Sequence, residues 1–144
     1  MAFVASDTLT AARLNRLQPK SLYAAATGTV AASQTNVTVP GCSITFNTET
    51  NNATVEITWW VSFYGAAVAP TTFGSARAIL DGSGAPVFAM GDSRTANSKD
   101  TPSMGWNTTI AAAGSHTVLL QATTPANMTI AQYTALRVVV YEVV

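Results

Sequence analysis

The chain has 144 residues, the length of one ordinary domain, which excludes a large multidomain enzyme. Charged residues make up 10% of it and the formal net charge is zero, whereas soluble domains average about 25% charged residues. Such a surface has no basic region for binding phosphates, so we expect no nucleic-acid partner. A neutral surface on a chain that is 48% hydrophobic favours self-association, so we expect copies of the chain or a larger assembly to cover part of it.

The first predicted element is a helix over residues 7–18, which Pro19 ends. Its apolar side chains recur at helical spacing at Ala11, Leu14 and Leu17, and Leu9 lies nearby. A helix of about a dozen residues is marginally stable alone in water and has to dock on another surface. We therefore predict that residues 1–20 form an arm that anchors the chain in an assembly. A frayed cap on the chain's own domain is the alternative.

Residues 21–144 are predicted to form a single all-β domain. Short runs of alternating apolar and polar residues are separated by Gly, Asn, Asp and Pro, which favour turns. The runs predict strands at 22–26, 29–39, 42–49, 53–64, 75–81, 85–90, 104–110, 115–123, 127–131 and 135–143. Short strands at this spacing favour an antiparallel β-sandwich with a jelly-roll-like arrangement over units joined by crossover helices.

Three predicted strands, at 53–64, 115–123 and 135–143, place large apolar side chains on a face that normally contacts water. The core face of the strand at 53–64 is predicted to contain Val55, Ile57, Trp59, Val61 and Phe63. The strand at 135–143 is apolar on both faces, although an antiparallel sheet usually has one solvated face. We predict that six side chains form an oligomer interface: Trp60, Tyr64, Leu119, Val139, Tyr141 and Val143. A thicker core within one chain, or loops folded over the sheet, is the alternative.

Residues 91–104 differ in composition from the rest of the chain. They contain four of its fourteen charged residues: Asp92, Arg94, Lys99 and Asp100. This composition is typical of a long solvated loop. We predict either a solvent-exposed connection or a contact loop for a neighbouring protein or a receptor.

Motifs for catalysis, metal binding and membrane insertion are weak or lacking in the sequence. Gly91–Ser93 matches the letters of an esterase nucleophile motif, but no Asp-x-x-His follows it. One histidine, His116, and one cysteine, Cys42, are too few for a standard zinc site, and Cys42 is predicted to be a small buried side chain. No run of about 20 apolar residues predicts a membrane span. We expect no enzyme activity, no cofactor, no metal and no membrane partner.

Two parts of the sequence resemble known structural proteins of viruses. Thr8–Asn15, which reads TLTAARLN, resembles the "LTAxxLN" start of many small structural proteins of tailed bacteriophages, often those of actinobacteria. Ala113–Ala122 is similar to a strand of phage fibre and head-surface β-sandwiches and of trimeric C1q/TNF-like jelly rolls. In those trimers, a C-terminal strand similar to Leu136–Tyr141 lies near the threefold interface. The middle of the chain matches no family motif.

The resemblance implies a virion structural protein without catalytic residues. Together with the low charge, it predicts a trimeric capsid decoration protein, or cement protein, on the particle surface that stabilises the head. Its expected partners are copies of itself and the major capsid protein or other virion proteins, and it would be made in the cytoplasm of the host bacterium. A minor tail or fibre protein that binds a host surface glycan is the first alternative. A small cell-wall hydrolase, which would need a carboxylate pair or a Ser–His contact in a cleft, is the second.

Overall fold

The computed structural model describes residues 10–93 and 95–142, without the side chains of Ala12, Arg13 and Arg16. One helix, α1, spans Ala11–Leu17. The strands in the described ranges are β1 (Lys20–Ala25), β2 (Gln34–Thr48), β3 (Ala53–Trp60), β4 (Phe63–Gly65), β5 (Gly74–Leu80), β6 (Ser83–Gly84), β7 (Ala89–Gly91), β8 (Lys99–Asp100), β9 (Ser103–Ile110), β10 (Gly114–Thr124), β11 (Met128–Ile130) and β12 (Ala135–Tyr141). The prediction of an all-β chain of antiparallel sheets is confirmed.

The strands form two main sheets and one small sheet. The first sheet has the order β1-β12-β3-β9, and the second has the order β2-β10-β5-β6, with β7 also paired to β5. In chain order, the strands of these two paths are β1, β2, β3, β5, β6, β9, β10 and β12. If they are numbered one to eight in that order, the first sheet has the order 1-8-3-6 and the second has the order 2-7-4-5. This order is that of a two-sheet jelly roll.

The core lies between the inner faces of the two main sheets. Val55, Ile57 and Trp59 of β3 point inward and are fully buried, as their alternation predicts. The indole N–H of Trp59 donates a 3.3 Å hydrogen bond to the carbonyl of Ala76 in the second sheet. This bond satisfies the buried polar atom of Trp59 and joins the two layers.

The second strand differs from its prediction because two predicted strands, 29–39 and 42–49, are replaced by the single strand β2. Pro40 lacks an N–H, but β2 is an edge strand, where a missing donor is tolerated. Gly41 follows with φ of 82°, and a Cβ there would lie 2.7 Å from the carbonyl oxygen of Ala25. The register against β10 shifts near this point, so the chain bends without leaving the sheet.

The small sheet, which we call the tip sheet, has the order β11-β4-β8. Each of its strands comes from a different connection between the main sheets, and Val30 of a fourth connection bridges to Ile130 of β11. The predicted strand at 53–64 is therefore divided into β3 and β4. The division occurs because the Ser62 amide donates to Thr134 Oγ1 at 3.0 Å rather than to a strand of the first sheet.

The tip sheet is attached to the sandwich through the ring of Phe63. Gly74 of β5 and Gly91 of β7 are direct cross-strand partners, and the fully buried ring lies against both. A Cβ at Gly74 would lie 2.5 Å from Phe63 Cε1 and 2.6 Å from Met128 Sδ. A Cβ at Gly91 would overlap the same ring. The two glycines thus provide the space that the ring occupies.

Glu142, directly after β12, joins three parts of the chain. Lys20 Nζ donates a 2.8 Å hydrogen bond to its Oε1, and the Glu49 amide donates a 2.9 Å bond to its Oε2. Burial by itself would raise the pKa of Glu142. The hydrogen bonds from Lys20 and Glu49, together with the Lys20 charge, outweigh it and lower the pKa from its usual 4.5.

We expect Glu142→Gln to lower the free energy of unfolding by about 1–3 kcal/mol at neutral pH, because the Lys20 ammonium and the Glu49 amide lose a charged acceptor. The pKa of Glu142 is lower in the folded state than in the unfolded state. The carboxylate therefore contributes its full stabilisation above the unfolded-state pKa of 4.5, and this stabilisation is lost as the pH falls through the folded-state pKa. Urea unfolding of both proteins between pH 7 and pH 3 tests this. The difference between them should shrink below pH 4.5, and a constant difference would contradict the assignment.

Candidate functional site

The outer face of the first sheet, directed away from the core, has exposed aromatic rings. Tyr23 of β1 is 62% exposed and Tyr141 of β12 is 41% exposed. The ring centroid of Tyr23 lies 5.8 Å from that of Trp60 in β3, with an angle of 35° between the planes. Ala135, which pairs with Trp60, is small enough to let the rings meet above β12. We call the surface formed by Tyr23, Trp60, Arg137, Val139 and Tyr141 the aromatic face.

Two polar contacts flank these rings. Arg137 Nε donates a 3.2 Å hydrogen bond to Ser21 Oγ, and the Tyr141 hydroxyl donates a 3.3 Å bond to Glu56 Oε2. The face therefore presents one cation and one anion beside apolar rings. Aromatic residues and arginine with a polar margin are typical of surfaces that contact another protein.

The residues of the predicted oligomer interface are divided among three surfaces. Trp60, Val139 and Tyr141 belong to the aromatic face, although Val139 is already buried within the chain. Leu119 lies on the outer face of the second sheet, and Tyr64 lies in the tip sheet. The sixth predicted residue, Val143, lies outside the described residues. The interface itself stays a prediction.

Two of the three leucines of the predicted arm are in α1. Leu14 and Leu17 are both exposed, and Leu9 lies outside the described residues. Exposed leucines on a short helix are compatible with docking on another surface. The anchoring role of the arm also stays a prediction.

The predicted solvated loop at 91–104 is more ordered than its composition indicates. It contains the end of β7, the short strand β8 and the start of β9. Ser93 of the esterase-like motif is fully buried, and its hydroxyl donates a 3.1 Å hydrogen bond to the carbonyl of Phe63. Asp100 accepts a 2.8 Å bond from the amide of Asp92, whereas Arg94 lies outside the described residues. Pairing of β8 with β4 gives this segment a fixed place in the tip sheet.

The outer surface of the tip sheet combines a cation with two tyrosines. Tyr64 pairs directly with Lys99 on one side and with Thr129 on the other, so the three side chains form one row. Lys99 Nζ lies 4.4 Å from the ring centroid of Tyr133, which is 73% exposed. We call Tyr64, Lys99, Thr129 and Tyr133 the tip cluster.

A cleft of about 370 Å³ opens between β9 and the turn that follows β5. His116 and Asp81 lie in its wall, and His116 Nδ1 is 2.7 Å from Asp81 Oδ2. His116 Nε2 is 3.2 Å from Thr48 Oγ1 and 3.1 Å from the carbonyl oxygen of Ala112. Asp81 Oδ1 accepts a 2.8 Å bond from the amide of Thr117. These contacts join β2, β10 and two turns at the end of the sandwich opposite the tip sheet.

We expect Asp81→Gly to lower the free energy of unfolding by about 1–3 kcal/mol, because two partners lose their acceptor. Asp81 has φ of 47°, a left-handed conformation that glycine adopts without strain, so the loss reports on the side chain. Urea unfolding measures it, and Ser83→Ala in the same cleft is the control, with an expected change within about 0.5 kcal/mol. Equal stability of Asp81→Gly and the wild type would show that the contacts contribute nothing.

Sequence reasoning missed Tyr23 and Tyr133 as surface residues. The alternation of Leu22 and Ala24 toward the core places Tyr23 on the outer face, and this signal is readable in the sequence. Tyr133 lies in a turn, where no periodicity indicates its direction. Its contact with Lys99 depends on strand pairing between distant parts of the chain.

Cys42 is fully buried, as predicted, and burial raises the pKa of its thiol to about 11. The thiol therefore stays protonated at neutral pH and is a poor nucleophile. Across residues 10–93 and 95–142, no group of three or more His, Cys, Asp and Glu side chains is arranged to hold a metal ion. In the same ranges, no helix has the length and apolar character needed to cross a bilayer.

Comparison with solved structures finds similar folds at low sequence identity. A chain from the structure of infectious bursal disease virus Gt strain is 10% identical, with a TM-score of 0.54 over 86% of this chain. A chain from dimeric latent PorU of Porphyromonas gingivalis is 8% identical, with a TM-score of 0.46 over 85% of this chain. This chain spans 33% of the viral chain and 12% of the PorU chain. No protein-family model and no curated protein sequence matches it.

Proposed function

We propose that this chain is a structural protein of a virus particle. The observation that supports this best is the exposed aromatic face on a two-sheet jelly roll. Jelly rolls of this kind are common in viral capsids, and the likeness to the infectious bursal disease virus chain is a likeness of fold in keeping with that role. A zero net charge leaves little electrostatic repulsion to keep copies apart.

Within this proposal the particle is a tailed bacteriophage and the chain is a trimeric decoration protein on its capsid. The resemblance of Thr8–Asn15 to the start of phage structural proteins supports the first part. The aromatic face supports the second part, because it offers rings, a cation and an anion for contact with a neighbouring copy. The arm, with Leu14 and Leu17 exposed, would bind the major capsid protein or another virion protein.

The proposed mechanism is physical. Apolar surface removed from water at each contact contributes roughly 25 cal/mol per Å². A protein that binds the assembled shell but not its separated subunits shifts the equilibrium toward the shell. The decoration protein would therefore raise the temperature at which the head opens.

The oligomeric state and the position in the particle test the proposal. Light scattering of the purified chain should give three times the mass of one chain. A cryo-electron microscopy map of the particle that encodes it should show its density as trimers over the shell, with residues 1–20 across the capsid subunits. A monomer at all concentrations, together with no density on the particle, would overturn it.

A minor tail or fibre protein that binds host glycan is the second candidate, and the tip cluster favours it. Density only at the tail or its fibres would replace the decoration role with this one.

We propose that Thr48, His116 and Asp81 stabilise the fold and do not catalyse hydrolysis. Their order matches a hydroxyl–imidazole–carboxylate triad, but Thr48 is 4% exposed and does not line the cleft.

A further inference from the structure

We propose that the tip cluster binds an acidic saccharide. This inference rests on the second candidate function, glycan binding at the tip cluster, and names the charge of the ligand. It is independent of the structural role, which depends on the aromatic face. The four residues come from three connections between the main sheets: Tyr64, Lys99, Thr129 and Tyr133.

The tip cluster is held in place by backbone hydrogen bonds. The Gly65 amide donates to the Ser98 carbonyl at 2.9 Å, and the Ala66 amide donates to the Asn127 carbonyl at 2.8 Å. The Ala131 amide donates to the Ser62 carbonyl at 2.9 Å. These bonds fix the strands on which Tyr64, Lys99 and Thr129 lie, so little further ordering is needed when a ligand binds.

The charge of the site selects an anionic ligand. The Lys99 ammonium lies over the ring of Tyr133, and among the residues that the structure describes no carboxylate forms a salt bridge with it. The neighbouring Asp100 alternates to the other side of β8, and its carboxylate accepts a hydrogen bond from the Asp92 amide. A carboxylate on a ligand would give Lys99 the partner that the described residues do not provide.

The shape and size of the site select a sugar. Tyr64 is 42% exposed and Tyr133 is more exposed still, so both rings offer flat apolar surface with a hydroxyl at the end. The C–H groups on one side of a sugar ring stack on such surfaces, and the hydroxyls of Thr129 and the tyrosines can bond to those of the sugar. Two rings and one ammonium cover far less than the about 800 Å² per partner of a stable protein interface. One or two acidic sugar units match this area.

Binding of an oligogalacturonate to the immobilised full-length protein tests the assignment. The fully methyl-esterified oligomer has the same sugar rings without the charge, and polyglutamate has the charge without the rings. We expect the oligogalacturonate to bind at least about tenfold more tightly than either. The affinity should fall as salt is added, because one ion pair at an exposed site contributes to it.

Three variants locate the site: Lys99→Gln, Tyr64→Ala and Tyr133→Ala. Each should weaken binding of the oligogalacturonate at least about tenfold. Lys99→Gln should bind the oligogalacturonate and its methyl-esterified form equally, whereas the two tyrosine variants should lose affinity for both forms. Arg77→Gln and Phe88→Ala remove a cation and a ring that pack together at the second sheet, with Arg77 Cζ 5.0 Å from the ring centroid of Phe88, and should bind as the wild type does. Thermal unfolding of Lys99→Gln, Tyr64→Ala and Tyr133→Ala should match that of the wild type, because their altered side chains are exposed.

Other outcomes would overturn the proposal. No binding at millimolar oligogalacturonate, equal binding of polyglutamate, or unchanged binding by Lys99→Gln would each do so. Light scattering of the same samples separates this result from the structural role. A wild type that forms trimers but does not bind the sugar contradicts only the saccharide site, and one that binds the sugar as a monomer contradicts only the self-association.

Discussion

Replacing Gly91 with alanine should lower the free energy of unfolding by about 1–3 kcal/mol, because the added methyl group overlaps a buried ring. Gly91 and its partner Gly74 face the ring of Phe63, which connects the tip sheet to the sandwich. The ring is fully buried, and the close packing of protein interiors opposes its movement. Urea unfolding followed by tryptophan fluorescence measures the effect.

Two further variants make this test specific. Gly105→Ala is the matched control, because its Cβ would have no neighbour closer than 3.8 Å and its φ is not positive, so we expect no loss of stability. Phe63→Leu combined with Gly91→Ala should lose less than the two single changes added together, since the smaller side chain leaves room for the methyl group. Additive losses would show that the ring and the glycine do not act on each other.

Replacing Tyr23 and Trp60 together with threonine should dissociate the proposed oligomer. Central aromatic residues of an interface contribute about 2 kcal/mol or more each, and about 1.4 kcal/mol corresponds to a tenfold change in the dissociation constant. We therefore expect the dissociation constant to rise by at least about 100-fold. Threonine favours strands, so the first sheet should still form. Light scattering over a concentration series measures the change, and unfolding experiments on the monomer verify the fold.

Leu119→Thr is the matched control on the outer face of the second sheet. It should leave the oligomer intact if the aromatic face forms the contact. Dissociation by Leu119→Thr, with no effect of the Tyr23 and Trp60 changes, would move the interface to the second sheet. Leu119 lies on the opposite face of the sandwich from Tyr23 and Trp60. The two experiments therefore show which face of the sandwich forms the predicted interface.

The sheet faces were predictable from the sequence because alternation has a period of two. Val55, Ile57 and Trp59 were assigned to the core on this ground, and all three are fully buried. The strand predicted at 127–131 is present as β11, but the pairing of the tip sheet was not predictable, because β8 has two residues and β4 and β11 have three each. Runs this short contain no periodicity, and their pairing joins residues far apart in the chain.

The candidate surfaces were only partly predictable for the same reason. Trp60 and Tyr141 could be placed on an outer face from alternation. The contact of Trp60 with Tyr23 could not be predicted, because β3 and β1 each pair with β12 and not with each other. Lys99 was identified from the charge of its segment. Tyr133, whose ring lies under the Lys99 ammonium, was not identified, because it lies in a turn and its contact with Lys99 is not visible in the sequence.

The pairing of β1 with β12 also determines how the domain responds to mechanical load. The two strands are antiparallel, and Lys20 pairs with Val140, so the chain enters β1 and leaves β12 at the same end of the sandwich. A force that separates residues 20 and 142 would open the ladder one hydrogen-bonded pair at a time instead of shearing all pairs together. The ion pair between Lys20 and Glu142 is the first contact in the path of that force. Tension on these two points would therefore peel off β1 at low force and leave the other strands of the jelly roll in place.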